Sequence, residues 1–184
     1  MEEICTPPVG KYELLVQQKF LGDYISDNLD FGELLMYHQI GSGKTCSSIA
    51  AAEILLNNMD VIIMLPASLR DNYKNEIKKC AGRFFNPKQN WMLHDKPETI
   101  EEASKILKIS PKIIKQNKGV WLPHPDRNSN FLKLSDTAKA QVETQINDII
   151  ENRYRFINYN GLQRKTIQSL IVDGKNPFDG KAVI

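Results

Sequence analysis

The sequence has few of the features that mark secreted or membrane proteins. No apolar run approaches the roughly 18 residues that a membrane span requires. The N-terminus begins with Met-Glu-Glu and has no basic segment followed by an apolar one, so it does not resemble a signal peptide. Three cysteines, Cys5, Cys46 and Cys80, are spaced too widely for a zinc motif or a disulfide framework. We therefore expect a protein of a reducing compartment that is neither secreted nor held in a membrane.

An excess of one charge is also absent. Lys and Arg number 24 and Asp and Glu 22, which gives a net charge of +2 and indicates no polyanionic partner. Local clusters differ from this average. Segment 66–88 has six basic and two acidic residues, and five lysines between 105 and 118 have no acidic residue among them. Either cluster is compatible with a nucleic-acid phosphate surface or with a solvated helix face.

The most informative segment is a short glycine loop. Residues 41–45, Gly-Ser-Gly-Lys-Thr, follow an apolar run at 34–37 and precede a helix-compatible run from Cys46 to Asn57. A strand, a glycine loop and a helix form the context of a phosphate-binding loop, in which backbone N–H groups and a lysine surround phosphate oxygens and a hydroxyl ligates Mg²⁺. We expect the ATP-binding residues here to be Gly41, Ser42, Gly43, Lys44, Thr45 and Cys46, with Thr45 as the Mg²⁺ ligand.

One element of the full phosphate-loop pattern is missing. The pattern has a glycine five residues before the glycine that precedes the lysine, and this position is His38. Many helicase-type loops lack that first glycine, so the interpretation as a nucleotide-binding loop stands. We expect His38 to belong to the shell of the loop.

The order of predicted elements indicates an α/β protein with three layers and a mainly parallel sheet. Segment 82–150 is too long for a simple connection, and we interpret it as a helical insertion. Predicted helices are 11–26, 44–57, one capped by Ser68, one beginning at Thr99, one beginning at Ser110-Pro111, 136–152 and 161–170. Predicted strands are 33–37, 61–65, 91–93, 119–122, 154–159 and 181–184.

Three further segments narrow the choice of family. Gln18 lies 26 residues before Lys44, Leu-Pro-Ala-Ser-Leu-Arg follows the second strand at 65–70, and Phe-Ile-Asn-Tyr-Asn-Gly spans 156–161. Together with the loop, this set resembles the superfamily 2 helicases and translocases of the Swi/Snf-like branch. The likeness is greatest to the poxvirus-type helicase-like ATPases of large DNA viruses. The resemblance covers most of the chain and implies the amino-terminal RecA-like lobe, in part, over residues 1–184.

The resemblance assigns a role to each segment. It implies that Gln18 contacts adenine, that Lys44 and Thr45 are catalytic, and that ATP and Mg²⁺ are the cofactors. It implies nucleic acid as the partner, with DNA favoured over RNA, and a place in the cytoplasm, virion or viral factory. The nucleic-acid-binding residues that it implies are Pro66, Ala67, Ser68, Leu69, Arg70, Asn158, Asn160 and Gly161.

Two parts of the resembled machinery are missing from the sequence. Hydrolysis requires an Asp-Glu pair directly after a buried strand, and we expect it to follow the strand that begins at 181–184. Asp173 ends an apolar run and is a rival for the acidic role, but Gly174 and Lys175 follow it. The second RecA-like lobe is also absent. We therefore expect weak ATP binding by this chain alone, with neither efficient hydrolysis nor translocation.

Two other functions share the same loop. A phosphate-loop kinase would need an acceptor site and an arginine-bearing lid, which the sequence does not reveal. A nucleotide-binding scaffold or sensor that does not hydrolyse ATP would need only the loop. Nucleic-acid stimulation of ATPase activity distinguishes the helicase from both.

Overall fold

The structure is a computed structural model, and it describes residues 15–28, 33–39, 41–160, 162–171 and 176–184. Within these ranges, no helix is long and apolar enough to cross a membrane. In chain order, the elements are α1 (Val16–Asp27), α2 (Lys44–Leu55), β1 (Val61–Leu65), a 3₁₀ helix (Ala67–Leu69), α3 (Arg70–Cys80), β2 (Asn90–His94), α4 (Pro97–Leu107), α5 (Pro111–Asn117), β3 (Val120–His124), a 3₁₀ helix (Phe131–Lys133), α6 (Asp136–Arg153), β4 (Arg155–Asn158), α7 (Arg164–Leu170) and β5 (Ala182–Val183).

The chain forms two compact units. Unit 1 comprises the described parts of residues 1–76 and 154–184, and unit 2 comprises residues 77–153. Unit 2 contains the segment 82–150 that the sequence analysis interprets as an insertion. That this unit is inserted into a nucleotide-binding lobe stays a prediction.

Unit 1 is built on a parallel sheet in the order β4-β1-β5. Leu65 at the end of β1 is in register with Asn158 at the end of β4, and Val61 pairs with Ala182 on the other side. Val61, Ile62 and Ile63 are at most 1% exposed, as expected for a central strand covered on both faces. The predicted α/β class with a mainly parallel sheet is confirmed, and the arrangement is compatible with a RecA-like lobe.

The predicted strand at 33–37 is wrong. Residues 33–39 are irregular, and the side chains of Leu35 and Tyr37 are 89% and 91% exposed. An apolar run predicts a strand only when helices cover its side chains and a neighbouring strand bonds its backbone, and local sequence specifies neither. The phosphate loop is therefore preceded by an extended segment and not by a sheet strand.

Helix boundaries differ from the predictions where a local signal was misread. The helix predicted to begin at Thr99 begins at Pro97, because proline at the first helical position has a backbone angle already suited to the helix. Ser68 does not cap α3, since it lies inside a 3₁₀ turn and α3 begins at Arg70. The helix predicted over 161–170 is shorter and begins at Arg164. The predicted helix 11–26 is described only from residue 15 and begins at Val16.

Unit 2 combines an antiparallel hairpin with three helices. β2 pairs with β3 over Asn90–His94 and Val120–His124, and α6 buries Val142, Ile146, Ile149 and Ile150. The predicted start of α5 at Ser110-Pro111 is confirmed. The backbone N–H and hydroxyl of Ser110 both donate to the carboxylate of Asp148, at 2.7 and 2.8 Å. A carboxylate at this helix start stabilises it, since it satisfies donors at the positive end of the helix.

Gln145 joins α6 to the backbone of β3. Its side chain is 1% exposed. Its Oε1 accepts from the N–H of Trp121 at 2.9 Å and its Nε2 donates to the carbonyl of Trp121 at 2.8 Å. One buried amide thus satisfies two backbone groups of a single residue, which the sequence pattern of α6 does not reveal.

Replacing this amide should destabilise unit 2. We expect Gln145→Ala to lower the free energy of unfolding by about 2 kcal/mol, because both backbone groups of Trp121 lose their partner in a buried place. Urea denaturation measures the change. Asn147→Ala, which removes an exposed amide from the same helix, is the matched control. Equal effects of the two substitutions would contradict the proposed bridge.

Candidate nucleotide-binding site and nucleic-acid interface

The glycine loop has the backbone geometry that only glycine adopts at low cost. Gly41 and Gly43 have φ angles of +81° and +83°, in the left-handed region that other residues avoid. Helix α2 begins immediately after Gly43, whose carbonyl accepts the N–H of Ser47 at 2.9 Å. The N–H groups of the first helical turn have no partner within the helix. The loop therefore presents donors at the positive end of α2, as an anion site requires.

The side chains of the loop converge on one carbonyl. The Gln39 carbonyl accepts from the Ser42 N–H at 3.3 Å, from the Ser42 hydroxyl at 2.7 Å and from Lys44 Nζ at 3.0 Å. Lys44 Nζ also lies 3.5 Å from the carbonyl of His38. Lys44 is exposed, so its ammonium group can leave these carbonyls for a phosphate at small cost.

A cavity of about 240 Å³ opens beside the start of α2, and Lys44, Thr45, Ser47 and Tyr73 contribute to its lining. The Ser47 side chain is 1% exposed, and its Oγ has no hydrogen-bond partner among the described residues. An unpartnered buried hydroxyl beside a lysine fits a ligand with acceptor oxygens, such as a phosphate chain. Thr45 supplies a hydroxyl oxygen for Mg²⁺. None of the described lining residues carries a carboxylate.

Gln18 lies against the loop and not on an exposed face. Its side chain is 2% exposed, and its Oε1 accepts from the Leu15 N–H at 3.0 Å. A Cβ placed on Gly43 would lie 3.2 Å from Gln18 Nε2. The structure thus brings Gln18 to the phosphate loop, while its contact with adenine stays a prediction.

Cys46 is less central than the sequence analysis expects. It is half-buried on the first turn of α2, with Sγ 4.0 Å from Glu76 Oε2, and it is not among the lining residues of the cavity. The predicted sites at Gly161 and Asp173 lie outside the described residues.

Two of the predicted nucleic-acid segments meet at one edge of the sheet. Because β1 and β4 are parallel neighbours, their carboxyl ends place residues 66–70 beside residues 158–160, and the Tyr159 N–H donates to the Leu65 carbonyl at 3.3 Å. Ala67, Ser68, Leu69 and Asn160 are exposed. The Asn158 side chain has a buried Oδ1 with no hydrogen-bond partner among the described residues.

Cations are held beside this edge by an aromatic side chain. The Arg70 guanidinium carbon and Lys74 Nζ lie 5.3 and 5.5 Å from the centre of the Phe156 ring. Both distances are within the range of a cation–π interaction. Sequence reasoning found Arg70 but missed Phe156 and Lys74. The helical i, i+4 spacing of Arg70 and Lys74 was the only available signal.

Tyr73 contacts the phosphate-loop helix from α3. Its hydroxyl oxygen lies 3.0 Å from Ser48 Oγ. Burial raises the pKa of Tyr73 to about 12, and the hydrogen bond to Ser48 opposes this shift in part. The phenol is therefore neutral at physiological pH and acts as a donor. Ser47, Ser48 and Tyr73 were not predicted from sequence as site residues.

Comparison with known proteins identifies relatives of one kind. A protein of Acanthamoeba polyphaga mimivirus named as an ATP-dependent RNA helicase is 35% identical over 111 residues, 59% of this chain and 19% of the relative. A second, with the same kind of name and from the same virus, is 27% identical over 184 residues, 95% of this chain and 21% of the relative. A termination factor NPH-I homologue of African swine fever virus is 31% identical over 77 residues, 42% of this chain and 9% of the relative.

The class that follows is a helicase-like ATPase lobe. No family model matches the chain, and no solved structure matches it. The chain is nevertheless homologous to the helicase-like ATPases of large DNA viruses, and the resemblance found in the sequence is confirmed. The chain spans about a fifth of the length of the two mimivirus relatives, 19% and 21%.

Proposed function

We propose that this chain is the ATP-binding lobe of an ATP-dependent nucleic-acid helicase or DNA translocase. The observation that carries the proposal is the phosphate-loop geometry: two left-handed glycines at the start of α2, with the Lys44 ammonium poised above the loop. The names of the viral relatives support the same function. A role in viral transcription is supported by the termination factor homologue among them.

The residues of the loop divide the work of binding ATP. Lys44 would exchange its bonds to loop carbonyls for the β- and γ-phosphates, and the N–H groups of the first turn of α2 would donate to phosphate oxygens. Thr45 would ligate Mg²⁺, which neutralises charge on the phosphates when bound. Hydrolysis also requires an acidic residue that positions water, and the described lining residues of the cavity supply none. We therefore assign binding, and not the chemical step, to the residues described.

The carboxyl edge of β1 and β4 is the proposed track for a single strand. The exposed residues 67–69 and Asn160 present backbone and polar groups, and Arg70 adds a positive charge held on Phe156. Contacts of this kind bind the phosphate backbone with little dependence on base sequence. The sequence analysis favours DNA, whereas the mimivirus relatives are named as RNA helicases, so both nucleic acids belong in the test.

Removing the Arg70 charge should weaken strand binding and its dependence on salt. We expect Arg70→Gln to lower affinity for a single-stranded oligonucleotide and to reduce the slope of log affinity against log salt by about one charge. Fluorescence anisotropy with labelled DNA and RNA at several salt concentrations measures both. Arg127→Gln, at an exposed arginine of unit 2, is the matched control. The same slope in the Arg70 variant as in the parent protein would contradict the assignment.

The complete test combines two titrations of the purified protein, one with a fluorescent ATP analogue and Mg²⁺ and one with the oligonucleotides. Binding of both supports the helicase or translocase lobe. Binding of the nucleotide without either nucleic acid would favour the nucleotide-binding module. Failure to bind the nucleotide would refute the proposal.

A further inference from the structure

Three aromatic side chains of unit 1 form a connected group, here called the aromatic cluster: Tyr73 of α3, Tyr154 at the start of β4 and Phe156 within β4. The Tyr73 and Phe156 rings meet edge to face with centroids 6.2 Å apart, and the Tyr154 and Phe156 rings stack at 6.3 Å. Both separations are in the range of favourable aromatic pairs. Phe156 is the shared member, so it links α3 to the strand.

The aromatic cluster holds the phosphate-loop helix α2 at two points. Tyr73 reaches Ser48, and the Tyr154 hydroxyl donates to the carboxylate of Glu53. Ser48 and Glu53 are five residues apart, more than one helical turn. Two hydroxyl contacts at different heights fix both the position and the rotation of α2 against β4.

The direction of the hydrogen bonds at Ser48 can be assigned. The Ser48 hydroxyl donates to the Thr45 carbonyl at 2.8 Å. A serine hydroxyl has one proton to donate, so the proton in the 3.0 Å contact with Tyr73 belongs to the tyrosine. A chain of donors therefore runs from Tyr73 through Ser48 to the backbone of Thr45, the residue assigned to Mg²⁺.

The other side of the aromatic cluster carries the cations of the candidate track. Arg70 and Lys74 both lie over the Phe156 ring, and two residues later β4 ends at Asn158, opposite Leu65. A shift of the ring changes where these positive charges lie. The same ring thus contacts the tyrosine that holds α2 and the cations beside residues 66–70.

We propose that Tyr73 and Phe156 are positioning residues that couple nucleotide binding at the loop to nucleic-acid binding at the carboxyl edge of β1 and β4. The coupling passes from Thr45 through Ser48 and Tyr73 to Phe156, and from Phe156 to Arg70 and Lys74. This inference rests on the proposed function, since it requires both ligands. Packing alone needs the Tyr73 ring but not its hydroxyl, so the hydroxyl separates coupling from a purely structural role.

The test measures coupling and not affinity alone. Affinity for a fluorescent ATP analogue with Mg²⁺ is determined with and without saturating oligonucleotide, and the ratio of the two values is the coupling factor. Coupled sites typically change one another's affinity about fivefold or more. We expect Tyr73→Phe and Phe156→Leu to move this factor toward one, while affinity for the analogue alone changes by about twofold at most.

Matched controls are available in the same unit. Tyr37→Phe removes the hydroxyl of a tyrosine that is 91% exposed, and Phe20→Leu changes a phenylalanine that is 70% exposed. Both should keep the coupling factor of the parent protein. Tyr73→Phe preserves the ring and hence the fold, so it remains informative if Phe156→Leu is too unstable to purify.

The outcomes separate two kinds of failure. If the parent protein binds no ATP analogue or no oligonucleotide, the proposed function fails and this inference fails with it. If the parent protein binds both ligands but has a coupling factor of one, only the inference is overturned. The same conclusion follows if Tyr73→Phe leaves a larger factor unchanged.

Discussion

Lys44→Ala should weaken ATP binding about 50-fold. The Lys44 ammonium is exposed and bonded only to loop carbonyls at 3.0 and 3.5 Å, so a phosphate can replace them. A hydrogen bond between a charged donor and a charged acceptor contributes about 1.5–3 kcal/mol, and the substitution removes it. Titration with a fluorescent ATP analogue in the presence of Mg²⁺ measures the loss.

Lys19→Ala provides the control for this substitution. Lys19 is an exposed lysine on α1 of the same unit, so the variant has the same change in net charge without touching the loop. We expect it to bind the analogue as the parent protein does. If both lysine variants lost affinity equally, the effect would come from long-range charge, and the role assigned to Lys44 would be wrong.

Gly43→Ala should disrupt the loop more than any other glycine substitution in it. The φ angle of +83° costs an alanine about 1–2 kcal/mol. The added Cβ would also lie 3.2 Å from Gln18 Nε2 and 3.7 Å from Leu15 Cδ1, which adds about 1 kcal/mol of overpacking. We expect a loss of about 3 kcal/mol in the free energy of unfolding, together with weaker ATP binding.

Gly41→Ala separates the two causes. Gly41 has nearly the same φ angle, +81°, but a Cβ there meets no atom within 4 Å. Its substitution should therefore cost the backbone strain alone. Adding Gln18→Ala to Gly43→Ala should recover part of the difference, because the nearby amide is then gone. Urea denaturation of the four proteins tests this, and equal losses for the two glycine variants would show that Gln18 does not pack on the loop.

Sequence reasoning succeeded where a short segment carries its own physical instruction. The run Val61–Leu65 is apolar throughout and ends at a proline, which favours a strand covered on both faces. The loop at 41–45 combines two glycines with a lysine, and the structure has both glycines in the left-handed conformation. The helix over 136–152 has an apolar residue at each turn and is buried as expected.

Other parts of the fold depend on partners that local sequence does not name. Residues 33–37 are as apolar as many strands, but they have no strand pairing in the described structure. The aromatic cluster joins residues 73, 154 and 156, which are far apart in sequence and meet only because α3 packs beside β4. The buried hydroxyl of Ser47 and the donor chain through Ser48 are equally invisible in a pattern of residue types.

The buried phenol of Tyr73 gives the contact between α2 and α3 a defined response to acidity. Its pKa is about 12 in the folded protein, against 10.0 for an ordinary tyrosine. The folded state therefore favours the protonated ring, and the stabilising contribution is complete below pH 10 and declines as the pH rises through 12. Proton concentration inside cells consequently has no hold on this link, and only ligands or substitutions can loosen it.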